Sequence, residues 1–207
     1  MNDDKKVEVC GYILENTYFY IDEESHHGFL IDPGAESQKL LSMILENQWV
    51  IEAILITHGH FDHIGAVNDL RKVLQSDVYA YETSALYLEN PFYNLSSAFG
   101  EEIKVTDVKR LKEHDVVCLK ENPDFSLKVM YTPGHTKDSC VYYNEDCAFV
   151  GDTIFKGSVG NTGFPLGNEE ELWSSIFHKI FALNPSTKLY SGHSEVTTVL
   201  EEKERYL

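Results

Sequence analysis

An apolar run over residues 51–56 breaks off into Thr57-His58-Gly59-His60-Phe61-Asp62-His63. Three imidazoles and a carboxylate packed this closely constrain the fold more than anything else in the chain. They are the donors that borderline divalent cations such as Zn²⁺ prefer. In an extended segment His58 and His60 point the same way, because side chains alternate with period two. Asp62 and His63 open the following helix, where the chain turns and presents a second pair.

The same arrangement recurs downstream. His135 closes Tyr131-Thr132-Pro133-Gly134-His135, Asp152 follows Ala148-Phe149-Val150-Gly151, and His193 follows Leu189-Tyr190-Ser191-Gly192. Each stands at the carboxyl end of a strand-like run, behind a glycine that lets the backbone turn sharply. One convergent site is the economical reading. The groups His58, His60, Asp62, His63, His135, Asp152 and His193 are too many for one tetrahedral ion with an open position. They suit two ions about 3.5–4 Å apart that share a carboxylate, with Asp152 the natural bridge. The remaining histidines fall elsewhere: His26 and His27 in a solvated hairpin turn, His114 in another turn, His178 on the polar side of a helix. Asp32, before Pro33-Gly34, reads as a buried hydrogen-bonding carboxylate behind the site.

Around these motifs, residues 7–14, 17–21 and 28–32 are strand-like. Residues 36–47 place Leu40, Leu41, Ile44 and Leu45 on one helical face, and residues 62–74 repeat Val67, Leu70 and Leu74. A second batch follows, with strands over 125–131, 139–143, 147–150 and 188–191. Asn168 opens a helix with Glu171 three residues on, a capping-box pair, and Leu172, Ile176, Phe177 and Ile180 form its buried stripe. Two successive batches predict two packed sheets covered by helices, a layered α/β domain and not a doubly wound one. No linker interrupts the chain, so residues 1–207 are expected to form a single domain.

Charge narrows the partners. Seventeen Lys and Arg against 34 Asp and Glu give a net charge of −17, and no basic stripe compensates. Such a field repels nucleic acid and anionic membranes. No apolar stretch approaches the roughly 20 residues that span a bilayer, and the start lacks the apolar core of a signal peptide. A cytoplasmic protein acting on a small molecule is expected, its oligomeric state left open. Cys10, Cys118, Cys140 and Cys147 form no C-x-x-C pair and read as reduced, mostly core thiols.

Taken together, these residues resemble the metallo-β-lactamase fold hydrolases, most closely the small glyoxalase II-like branch. Thr57 to His63 matches the H-x-H-x-D-H signature. Thr132-Pro133-Gly134-His135-Thr136 matches the third-ligand motif, Gly151-Asp152-Thr153-Ile154-Phe155 the bridging-aspartate motif, and Gly192-His193 the last ligand. Leu30-Ile31-Asp32-Pro33-Gly34 is similar to the early strand and turn, so the resemblance covers nearly the whole chain. It implies an αββα sandwich with metals at one edge. It also implies His58, His60 and His135 on the first ion, Asp62, His63 and His193 on the second, and Asp152 between them. Zn²⁺ is the expected metal, with Fe or Mn as substitutes.

The implied reaction is metal-assisted hydrolysis of a thioester by water activated between the ions, with Asp62 orienting that water and taking its proton. A thiolate, with a pKa of about 8.5, leaves without a dedicated acid. Alternatives are a mononuclear iron persulfide dioxygenase using His58, His135 and Asp152, a lactonase, or a non-catalytic metal-binding module. Tyr87, Phe92, Tyr93 and Phe99 suggest an aromatic loop over the site. Two departures from the branch bear on substrate. The stretch Gly157-Ser158-Val159-Gly160-Asn161 has no basic residue where the branch carries one, and Ser191 replaces a proline. The chain also ends soon after His193, before any glutathione-binding helical domain. Glutathione thioesters are therefore expected to be poor substrates.

Overall fold

The computed structural model describes residues 2–207, with side chains from Lys6 onward. Six strands build the first sheet in chain order: β1 (Asn2–Cys10), β2 (Leu14–Asp22), β3 (His27–Ile31), β4 (Val50–Leu55), β5 (Asp77–Tyr81) and β6 (Lys109–Leu111). The first three pair antiparallel and the rest parallel. Its helices are α1 (Ser37–Glu46), α2 (Phe61–Ile64), α3 (Val67–Leu74) and α4 (Ala85–Leu88). The second sheet contains β7 (Val116–Cys118), β8 (Ser126–Tyr131), β9 (Cys140–Tyr143), β10 (Cys147–Gly151), β13 (Lys188–Ser191) and β14 (Thr197–Thr198). A small hairpin of β11 (Ile154–Phe155) and β12 (Ser158–Val159) follows β10, and α5 (Glu169–His178) and α6 (Val199–Tyr206) complete the chain.

Period-two alternation sorts the strand residues into layers. Tyr18, Tyr20, Phe29, Ile31 and Leu55 face Leu127, Val129, Tyr142, Phe149 and Tyr190 between the two sheets. Their neighbours Phe19, Ile21, Leu30 and Ile54 face outward onto Leu40 and Ile44 of α1 and Val67 and Leu70 of α3. On the far side Met130, Val141, Ala148 and Leu189 meet Leu172 and Ile176 of α5 and Val199 of α6. The result is the expected four-layer αββα sandwich.

Strand direction positions the site. β3 and β4 run parallel in the first sheet. In the second, β8 and β10 are both antiparallel to β9, and β13 is parallel to β10. The carboxyl ends of five strands thus meet at one edge of the sandwich, carrying Asp32, His58, His135, Asp152 and His193.

Local details depart from the sequence reading. The first strand ends at Cys10, and Gly11-Tyr12-Ile13 form a turn into β2. The helix expected over 62–74 is broken at Gly65-Ala66, where Ala66 N–H bonds to Pro33 O. Leu45 is exposed on α1, and Phe177 stacks on Trp173 outside the buried stripe. His27 is only partly exposed: it begins β3 and bonds to Glu52 on β4 at 2.6 Å. The Asn168 cap is as expected, its side chain accepting the Glu171 N–H at 3.1 Å. All four cysteines are free, Cys140 and Cys147 buried, Cys10 and Cys118 exposed. Among the described residues no helix is long and apolar enough to cross a membrane.

Candidate metal centre

All seven predicted groups lie together at this edge. His58, His60 and His135 form one trio of buried side chains whose ligand-type atoms lie within 4.8 Å of one another, and Asp62, His63 and His193 form another at the rim. Asp152 stands between them. Its Oδ2 is 3.5 Å from His135 Nε2 and 3.3 Å from His193 Nε2, and its Oδ1 is 3.4 Å from His63 Nε2. Asp62 Oδ2 is 3.4 Å from His193 Nε2.

The partners of the outer ring nitrogens decide which nitrogen faces the centre. His135 Nδ1–H donates to Asn161 O at 2.7 Å, and His193 Nδ1–H donates to Leu14 O at 2.8 Å. His63 Nδ1–H donates to Asp32 Oδ2 at 3.0 Å. Thr57 gives its hydroxyl proton to Asp32 Oδ2, so its oxygen accepts from His58 Nδ1–H at 3.2 Å. In all four rings Nδ1 is the nitrogen engaged outside and Nε2 the one turned to the centre, the arrangement outer-shell acceptors impose on metal-binding histidines.

These residues fit a metal. His58 Nε2, His60 Nε2 and Asp152 Oδ1 are buried without a hydrogen-bond partner, and His60 Nδ1 lies 3.0 Å from His135 Nε2. Buried polar atoms orphaned in this way are costly unless a cation lies among them. Asp32 also falls within reach of His58 and His63. Its oxygens are instead committed to Thr57 N–H, the Thr57 hydroxyl and His63, as expected of a carboxylate behind the site.

Electrostatics divides the trios. Burial pushes His58 and His135 down and His60 to about 3. At His63 and His193 burial acts in the same direction, but the carboxylates outweigh it; His193 rises to about 10. Burial would raise Asp62 and Asp152, yet the neighbouring imidazoles hold both below the usual carboxylate range.

Two glycines are dictated by space. A Cβ on Gly151, at φ 49°, would sit 2.3 Å from Thr57 Oγ1. One on Gly192 would meet Asp152 Oδ1 at 2.4 Å and His63 Cε1 at 2.5 Å, so this glycine serves close approach, not a left-handed turn.

Sequence reasoning missed two buried acids. Glu15, at the start of β2, lies 3.7 Å from His63 Nδ1. Its only signal was a charged residue entering an apolar strand. Asp138 packs against Gly59, and burial pushes its carboxyl up to about 7. The aromatic loop is divided: Tyr87 is buried with its ring 6.0 Å from His60, whereas Phe99 is exposed and packs on Tyr12 and Phe61.

Comparison with known proteins gives a consistent picture. Residues 13–193 match the metallo-beta-lactamase superfamily. The probable metallo-hydrolase YqgX of Bacillus subtilis (strain 168) is 36% identical over 198 residues, 94% of this chain and 92% of its own. The hydroxyacylglutathione hydrolase GloC of Haemophilus influenzae is 30% identical over 184 residues, 87% of this chain and 86% of its own. Among solved structures, the BLEG-1 B3 metallo-beta-lactamase has a TM-score of 0.90 at 32% identity, covering 98% of this chain and 97% of that one. TTHA1623 in a di-iron-bound form has a TM-score of 0.84 at 31% identity, covering 98% and 100%.

Proposed function

Because the chain belongs to the metallo-beta-lactamase superfamily, we propose that it is a binuclear metal-dependent hydrolase that cleaves a thioester. The observation that carries this reading is the pair of trios with Asp152 reaching into both. His58, His60 and His135 would hold one ion and Asp62, His63 and His193 the other, with Asp152 shared. Zinc is the first choice, and the di-iron form of TTHA1623 makes iron a serious second. When bound, such ions bring the pKa of water to about 7 and polarise a carbonyl.

The chain's own residues do the rest. Asp62 is ionised at neutral pH and lies at the rim, so it orients the attacking water and accepts its proton. His58, His135, His63 and His193 spend their second nitrogen on Thr57, Asn161, Asp32 and Leu14, which keeps them from serving as general acids. A leaving group that departs without a proton is therefore favoured, and a thiolate is one. The relationship to GloC supports the same chemistry.

The carrier is a different matter. Asn161 folds its side chain back onto the Gly163 N–H at 2.8 Å, and Tyr12, Phe99 and Phe164 present exposed apolar surface around the centre. With a net charge of −17, this mouth favours an uncharged substrate over glutathione. Free, exposed Cys10 and Cys118 agree with a reducing cytoplasm.

Metal analysis followed by a substrate panel tests the proposal. The expected result is two ions per chain, with kcat/KM for a short neutral thioester about tenfold or more above that for S-lactoylglutathione, or about 1.4 kcal/mol. Asn161→Arg should narrow the gap. One iron per chain with oxygen uptake on persulfides would replace the reading by a dioxygenase. Preferential turnover of a lactone or a β-lactam, the latter suggested by BLEG-1, would replace the thioester.

A further inference from the structure

The second trio leans on a run of four residues that contains none of its ligands. Leu14 O accepts the His193 Nδ1–H at 2.8 Å. Asn16 N–H donates to Gly192 O at 2.7 Å, and its side-chain amide donates to Ser191 O and Ser194 O at 2.9 Å each. The Thr17 hydroxyl lies 2.9 Å from Asp32 O and 3.0 Å from Glu15 Oε2. Within this run Glu15 is fully buried. Its Oε1 has no hydrogen-bond partner and points at His63 Nδ1 from 3.7 Å.

A buried carboxyl group with an orphaned oxygen is costly, and packing at the start of β2 would be served as well by an apolar side chain. Asp32 explains what Glu15 adds. Both Asp32 oxygens are engaged by Thr57, the residue before His58, so Asp32 ties His63 to the first trio's loop. Glu15 approaches the centre through His63, whose Nδ1 lies 3.7 Å from Oε1.

We infer that Glu15 is a positioning residue for the second metal. With Asp32 it flanks the His63 Nδ1–H and fixes the tautomer that turns Nε2 to the centre. Leu14 to Thr17 is the brace on which this half of the site depends. The inference rests on the two-metal reading above.

Calorimetric titration of the metal-free protein with Zn²⁺ tests it without recourse to turnover, alongside Co²⁺ spectra that distinguish the sites. Glu15→Leu should weaken the second ion about 10- to 100-fold and leave the first within about threefold. Glu15→Gln keeps an acceptor oxygen and should restore the second ion to within about threefold of wild type. Asn16→Ala, which frees the turn around His193, should weaken the second ion selectively even if Glu15→Leu does not fold. Uptake of a single ion by wild type overturns the two-metal reading itself. Uptake of two ions, with Glu15→Leu affecting both or neither, or with no rescue by Gln, overturns this inference alone. If Glu15→Leu does not fold, no selective loss from Asn16→Ala overturns it as well.

Discussion

The two trios, each proposed to hold one metal ion, are built on opposite electrostatic plans. Around His58, His60 and His135 burial dominates, and all three imidazoles are held neutral. Around His63 and His193 the carboxylates of Asp152 and Asp62 win over burial, and both imidazoles are held protonated in the metal-free protein. The first trio is ready for a cation as it stands. The second stores its charge balance in ion pairs that a cation must displace. The difference follows from position: the first trio is wholly buried, and the second opens to solvent through Asp62 and His193.

Asp152 is where the two plans meet, so its loss should have the largest effect. Asp152→Ala is expected to cost both ions and to lower kcat/KM by about 10³-fold or more. Metal analysis of the purified variant checks this directly. A variant that retained both ions would remove Asp152 as the shared ligand and leave two independent sites.

Proton release then separates the trios. His193, raised to about 10, and His63, raised in the same direction, carry protons at neutral pH that a second ion would have to expel. Lowering the pH therefore weakens the second ion, by up to about a hundredfold per unit if two protons leave. The first trio has lowered values, His60 near 3, and so competes for protons only in strong acid. Calorimetry in buffers of different ionisation enthalpy counts the protons. About none is expected for the first ion at pH 7 and one to two for the second. Equal release from both would erase the contrast.

Much of this was legible in the sequence because it depends on local pattern. Ligand-type side chains behind glycines at strand ends marked the edge of the sandwich, and β13 and the Asn168 cap follow from residues within a few positions. What escaped notice depends on distant partners. Glu15 is a strand residue until β3 and the 57–63 segment are folded beside it, and Asp138 a loop residue until it meets Gly59. The break at Gly65-Ala66 comes from Pro33 O taking the Ala66 N–H, a bond across about thirty residues that helical periodicity cannot register. Spacing puts Phe177 on the buried stripe, yet Trp173 offers it a stacking partner on the outer face.

The smallest effects should come from the histidines outside both trios, and they test whether the site ends where the strand ends place it. His178 is exposed on the last turn of α5, and no change beyond about threefold in kcat/KM is expected from His178→Ala. His27 differs, because its Nδ1 is bonded to Glu52 at 2.6 Å. Burial would raise Glu52, but the Lys120 and Glu121 N–H groups and His27 together keep it below the usual range. Removing the ring leaves Glu52 with the two backbone donors, so the loss should be about 1 kcal/mol, seen as a fall of roughly 2–4 °C in Tm. Because Glu52 is depressed, its contribution is present above the carboxylate's unfolded value and is lost as pH falls through the folded one. The gap in Tm between wild type and His27→Ala should therefore close in acid. Activity should stay within about threefold, since His27 begins β3 at the end opposite Asp32 and the metal edge. A loss of turnover from His27→Ala comparable to that from His58→Ala would mean that the far end of the sheet communicates with the first trio, and the division into site and scaffold would have to be redrawn.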